Sequence, residues 1–153
     1  VYDESGLPEA IDLAAGYSDE ILIEEYIPGR ELTVGILGKK SLPIVEIIPS
    51  HNFYDFECKY TEGMSEYKVP ADLSDSLVRK ISEDALKIYN TIGCRHYARA
   101  DFRLNEKDEY YFLEINTLPG MTSTSLLPKA AKAAGLEFPD LIDIIIKIAT
   151  SEQ

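Results

Sequence analysis

From Tyr97 to Leu104 the chain alternates with a period of two. Ala98, Ala100, Phe102 and Leu104 make an apolar row, and Tyr97, Arg99, Asp101 and Arg103 a polar one. That is the signature of a β-strand with one buried face. Asn105-Glu106-Lys107-Asp108 reads as a polar hairpin turn, and Tyr110 to Asn116 as a second strand broken at Pro119-Gly120. On this second strand Leu113 and Ile115 are expected on one face, with Phe112, Glu114 and Asn116 on the other. A turn with an even number of residues sets Asp101 and Glu114 on a common face, whereas an odd number separates them. The four-residue turn therefore predicts a common face, with Glu114 and Asn116 about 7 Å apart along it.

Elsewhere the pattern changes period. Pro8 to Ala15 reads as a short helix stopped at Gly16, and Ile21 to Ile27 as a strand ended by Pro28-Gly29. Glu31–Leu37 and Leu42–Pro49 form a hairpin around Gly38-Lys39-Lys40-Ser41. Ser50 to Ala71 follows neither period, and long irregular stretches inside compact domains are often functional. Ser74 to Ile92 carries Leu77, Val78, Ile81, Ala85, Ile88, Tyr89 and Ile92 at helical spacing and stops at Gly93. Two further helices close the chain, from Ser125 through Ala134 to Gly135, and from Pro139 to Ala149 with Leu141, Ile144, Ile145 and Ile148 as the core stripe. Strands followed by helices define an α+β fold with a mostly antiparallel sheet and helices packed on one side.

Composition narrows the chemistry. The chain has 153 residues and a formal net charge of −12, a length that fits one domain. An acidic surface argues against a nucleic-acid partner, which needs cationic side chains to displace counterions. No run is long or apolar enough to span a membrane and no signal peptide is visible, so a cytoplasmic protein is expected. Cys58 and Cys94 are too few for a disulfide framework and are expected reduced. The chain opens on Val1 rather than Met, which suggests a processed chain or an excised piece.

Against this background Asp101, Glu114 and Asn116 stand out as three oxygen ligands on one sheet face with Arg99 one residue pair away. Such a set suits Mg²⁺ or Mn²⁺, which takes one or two carboxylates and completes its shell with water and phosphate. The plainer alternative is a solvated face with an ion pair from Arg99 or Arg103 to Asp101. Glu24 and Glu25, at a strand exit, are either solvated or acceptors for an adenine amino group or a ribose. Lys59-Tyr60 is either a phosphate contact with a phenol beside it or part of a surface loop in water. The run Thr122-Ser123-Thr124-Ser125 caps the next helix, whose N-terminus would also receive a carboxylate.

Several of these pieces together resemble the D-alanine–D-alanine ligases of the ATP-grasp superfamily. They are Glu24-Glu25-Tyr26-Ile27-Pro28-Gly29-Arg30-Glu31, Phe53-Tyr54-Asp55, Lys59-Tyr60, Ala98-Arg99-Ala100-Asp101-Phe102, and Leu113 through Gly120 continuing to Leu126. They occur in family order and cover nearly the whole chain. The resemblance implies the C-terminal part of an ATP-grasp ligase domain, with the N-terminal domain and the early central domain absent. It implies that Glu24 and the Ile27 backbone hold adenine, that Glu31 holds the ribose hydroxyls, and that Lys59 contacts the γ-phosphate. Asp101, Glu114 and Asn116 would hold two Mg²⁺ ions, and Arg99 with the Gly120 N–H would stabilise a tetrahedral oxyanion. Ser125 and Leu126 would bind the carboxylate of the second D-alanine, and Tyr60 looks like the tyrosine of ligases that make the dipeptide. The implied partners are ATP and D-alanine, with a homodimer allowed for the full-length protein; the implied process is peptidoglycan precursor synthesis. His96 departs from the family, which usually carries a small residue there, often Gly. The alternatives are another ATP-grasp carboxylate–amine ligase and a non-catalytic acidic binding module. On the leading reading, the chain by itself is expected to be inactive.

Overall fold

The computed structural model describes residues 1, 3–49 and 65–151. A short 3-10 turn, Glu4–Gly6, leads into α1 (Leu7–Ala15), which has a proline in its first turn and Gly16 at its end, as expected. Five strands form one path in the antiparallel sheet: β4 (Ser65–Lys68), β3 (Val45–Pro49), β1 (Arg30–Leu37), β5 (Tyr97–Leu104) and β6 (Tyr110–Asn116), in that spatial order. The two-residue β2 (Lys40–Ser41) closes a tight turn on β1. The segment expected as one strand from Leu42 to Pro49 is split: Leu42-Pro43-Ile44 leaves the ladder and pairing resumes at Val45. Pro43 has no N–H to give to a ladder, which accounts for the interruption. β4 lies in the stretch read as irregular. It is only four residues long, too short for a period to show.

The strand expected from Ile21 to Ile27 does not form; that segment is in no ladder. The reason is topological. β1 is paired by β5 along one edge and by β2 and β3 along the other, so the chain entering it at Pro28-Gly29 finds no open edge and crosses a face instead. Gly29 makes the bend possible. Its φ is +134°, and a Cβ there would stand 2.1 Å from the Leu104 carbonyl oxygen, a position open only to glycine.

α2 (Asp75–Ile92) begins at Ser74, whose hydroxyl accepts from the Leu77 N–H, and ends at Gly93 with φ +78°. Leu77, Ile81, Ala85 and Tyr89 bury the stripe that the sequence spacing marked, while Val78 and Ile92 stay exposed. This stripe packs on Leu32, Val34 and Ile36 of β1 and on Ala98, Ala100, Phe102 and Leu104 of β5. The expectation of helices on one side holds for α2. α3 (Leu126–Ala133) and α4 (Phe138–Ser151) add a layer on the other face, over Leu37, Val45 and Ile47. Gly35 lets α3 approach, since a Cβ there would lie 2.7 Å from Leu127 Cδ1. β1 is consequently buried on both faces at its Leu37 end and only half-buried at Arg30 and Glu31. Each fully buried Leu or Ile of these clusters contributes about 1.5–3 kcal/mol. His96 adopts φ +69°, the left-handed conformation in which a glycine is unstrained. Among the described residues no helix is long and apolar enough to cross a membrane.

Candidate active site

The uncovered half of the second face bears the polar row of β5. Across the β1–β5 ladder Thr33 pairs with Asp101 and Glu31 with Arg103; across β5–β6 Asp101 pairs with Glu114 and Arg99 with Asn116. Asp101, Glu114, Asn116 and Arg99 therefore share a face, but by a different route from the one expected. The turn has five residues, 105–109, not four. Asn105 holds it closed: its Oδ1 accepts from the N–H groups of Lys107 (2.9 Å) and Glu109 (3.0 Å), and its Nδ2 donates to Glu109 Oε2 at 2.8 Å. An odd turn alone would send Glu114 to the far side. A β-bulge corrects the register. Phe102 pairs with Phe112 but Asp101 pairs with Glu114, leaving Leu113 as the extra residue. Phe112 is thereby turned away from Glu114, and its ring meets Phe102 edge-on at 5.7 Å.

The Asp101 carboxylate is tightly held. Arg99 donates from Nε to Oδ1 at 2.9 Å and from Nη2 to Oδ2 at 2.8 Å, and Thr33 Oγ1 donates to Oδ1 at 2.5 Å. Both side chains of the ion pair are 15% exposed. The plainer reading of this face thus supplies one true element, an Arg99–Asp101 ion pair, while Arg103 goes elsewhere. Thr33, 1% exposed, has no counterpart in the sequence reading. The signal was available: it is the hydroxyl in an otherwise apolar run from Leu32 to Leu37, placed on the Asp101 face by the register.

An open cleft of about 920 Å³ lies above this floor. Asp101, Arg103, Glu114 and Glu31 line it from the sheet, Glu24 and Ile27 from the crossing segment, and Leu7 and Ile11 from α1. Arg103 joins floor to roof. Its Nε donates to the Ile27 carbonyl at 2.9 Å, its Nη1 to Glu31 Oε2 at 3.3 Å, and its guanidinium lies 5.6 Å over the Tyr26 ring.

Beyond the end of β6 is a second group. Asn116 Oδ1 accepts from the Leu118 N–H at 2.9 Å, Pro119 is buried, and Gly120 packs so near Ser125 that a Cβ would stand 3.0 Å from its Oγ. Ser125 occupies the N-cap position of α3, but its side chain does not cap the helix. It accepts instead from the Thr122 N–H at 3.1 Å and shares a 2.8 Å hydrogen bond with the Thr122 hydroxyl. The hydroxyl run therefore folds upon itself, which corrects the capping expectation and leaves the first-turn N–H groups of α3 without a side-chain cap. Leu126 buries its side chain in the core; what it offers a ligand is its backbone. Lys59 and Tyr60, like Phe53-Tyr54-Asp55, lie outside the described residues.

For a divalent cation the donor chemistry fits. Asp101, Glu114 and Asn116 provide hard oxygens, two of them carboxylates on adjacent strands, the number Mg²⁺ accepts from a protein when phosphate supplies the rest. Among the described residues there is no group of three or more His, Cys, Asp or Glu that would make an all-protein metal cage.

An antiparallel α+β half-clamp with the Asp101–Glu114 pair on its floor, Arg99 on Asp101 and Arg103 on Glu31, defines a class, the C-terminal half of an ATP-grasp fold. The family model described as D-ala D-ala ligase C-terminus matches residues 1–147, and the chain belongs to that family. A D-alanine–D-alanine ligase of Aquifex aeolicus is 49% identical over 129 residues, spanning 84% of this chain and 44% of the relative. One of Syntrophotalea carbinolica is 42% identical, spanning 95% and 48%. Among solved structures, the Bacillus anthracis D-alanine–D-alanine ligase complexed with ATP superposes with a TM-score of 0.84 at 36% identity, over 99% of this chain and 49% of that one. The VanG D-Ala:D-Ser ligase of Enterococcus faecalis superposes at 0.80 with 33% identity, over 95% of this chain and 43% of that one. The chain spans about half the length of the curated relatives it matches.

Proposed function

We propose that this chain is the C-terminal part of an ATP-dependent D-alanine–D-alanine ligase of the cytoplasm, supplying peptidoglycan precursor, and that it carries the nucleotide site and the site of the second D-alanine. The observation that carries this reading is the Asp101–Glu114 pair, with Arg99 and Asn116 one position along, flooring a cleft walled by Glu24, Ile27 and Glu31. In the reaction, ATP phosphorylates the carboxylate of one D-alanine; the amine of the second attacks the acyl phosphate, giving the dipeptide, ADP and phosphate. Glu24 and the Ile27 backbone receive the adenine edge, Glu31 the ribose hydroxyls, and Lys59 the γ-phosphate. Arg99 and the Gly120 N–H face the oxyanion that develops at the attacked carbonyl, where losing one donor typically costs about 10²-fold or more. Ser125 and the Leu126 backbone take the carboxylate of the second D-alanine, and Tyr60 belongs to the dipeptide-forming pattern. Asp101, Glu114 and Asn116 would hold Mg²⁺ or Mn²⁺, whose charge offsets that of the transferred phosphoryl group when bound. In a chain of net charge −12, that compensation is needed before a polyphosphate can approach.

The test is thermal unfolding of the 153-residue chain with Mg²⁺ and a non-hydrolysable ATP analogue. Stabilisation that requires both, and that Asp101→Ala or Asp101→Asn removes, is the expected result. A chain indifferent to both ligands would instead be the non-catalytic acidic module. The chain alone is expected to show no dipeptide synthesis, and turnover by it would contradict the view that half of the active site lies outside it.

A further inference from the structure

The roof of the cleft is anchored by a residue to which the resemblance gives no role. Arg103 stands on β5 opposite Glu31, on the face that carries Asp101. Its side chain and that of Glu31 are 16% and 18% exposed. From that half-buried position its fork reaches three groups at once: the Ile27 carbonyl, the Glu31 carboxylate, and the Tyr26 side chain, whose hydroxyl is 3.5 Å from Nη2 and whose ring lies under the guanidinium. The segment so held needs an anchor, because 21–27 is in no strand ladder and Leu22 and Ile23 stand in solvent. A planar guanidinium with donors in fixed directions orients what it touches, which a lysine ammonium does not.

We propose that Arg103 is a positioning residue for the nucleoside end of the cleft. By tying the Ile27 carbonyl and the Tyr26 side chain to the Glu31 carboxylate, it fixes the spacing between the backbone that meets a purine edge and the acid that meets a ribose diol. This rests on the nucleotide reading above.

The experiment measures binding of three probes in Mg²⁺ by calorimetry: ADP, 2′,3′-dideoxy-ADP and inorganic tripolyphosphate. Arg103→Ala is expected to weaken ADP about tenfold, to narrow the wild-type preference for ADP over the dideoxy nucleotide, and to leave tripolyphosphate unchanged. Arg103→Lys, which keeps the charge without the fork, is expected to bind tripolyphosphate normally and still show the narrowed preference. Full rescue of that preference by lysine would overturn the proposal. So would an Arg103→Ala chain that keeps wild-type ADP affinity and preference, with the nucleotide reading left standing. Equal loss of all three probes together with a lowered melting temperature would make Arg103 merely structural, and also overturns it. A wild-type chain that binds none of the probes removes the nucleotide reading, and this proposal with it.

Discussion

The floor and the roof of the cleft are built from similar residues and held in opposite ways. On the floor, β1, β5 and β6 are locked by continuous ladders, and each polar side chain has its place assigned by register: Thr33 and Arg99 against Asp101, Asp101 opposite Glu114. The roof, Ile21 to Ile27, is as apolar as a strand yet has no ladder, exposes Leu22 to 80% and Ile23 to 59%, and is reached from the sheet by Arg103. Backbone pairing makes the floor part of the cooperative fold, whereas the roof depends on side-chain contacts and the bend at Gly29. Parts of a site that must admit a ligand are drawn from the less stable regions of a structure.

The sharpest way to break this comparison is at the joint between the two regions. Gly29→Ala forces a side chain into φ +134° and against the Leu104 carbonyl and Asn105 Cα, both backbone atoms of the floor that cannot rotate away. Unfolding in urea is expected to show a loss of about 3 kcal/mol or more, from strain and steric displacement together. A loss under about 1 kcal/mol would mean that the roof simply detaches and the floor ignores it.

A smaller effect tests how the floor's outer strand is secured. The Tyr110 hydroxyl, at the start of β6, donates to Asp84 of α2 at 2.6 Å. That bond, with lesser contributions from burial and the Asp84 charge, pushes the phenol up to about 12. An unfolded tyrosine titrates near 10. The raised value therefore adds stability that is fully present below about pH 10 and is lost as pH rises through about 12. Tyr110→Phe should cost about 1 kcal/mol at neutral pH, and the difference from wild type should shrink between those two pH values in denaturant titrations. A difference independent of pH would mean that the hydrogen bond carries none of it.

How far the sequence disclosed these two regions follows from the range of the forces involved. β5, α2 and α4 were legible because local periodicity and burial agree there: Leu77, Ile81, Ala85 and Tyr89 of α2 face the row formed by Ala98, Ala100 and Phe102. The shared face of Asp101 and Glu114 was also expected, but through an even turn. In the molecule two departures cancel, a fifth turn residue held by Asn105 and an extra residue at Leu113, and neither has a periodic signature. The roof misled for a different reason. Ile21 to Ile27 has a strand's composition, and whether it becomes one depends on a free sheet edge, a property of topology that no window of seven residues contains. Arg103 was visible as a cation on the right face; its choice of Ile27 and Glu31 over Asp101 depends on the path of that same unpaired segment.

The smallest expected effect sharpens the comparison most directly. If the roof is outside the cooperative core, an apolar side chain there is worth little to the fold, although the same side chain on β1 would be worth a great deal. Leu22→Ser removes a group that is already 80% exposed, so the folding free energy should change by no more than about 0.5 kcal/mol. At Leu32, fully buried beneath α2, truncation to Ala should cost about 2–5 kcal/mol. Equilibrium unfolding of the two variants side by side reads the contrast. Should Leu22→Ser cost more than about 2 kcal/mol, the crossing segment would be packed in solution and folded with the floor, and the cleft would be a rigid slot rather than a rigid floor under a tethered roof.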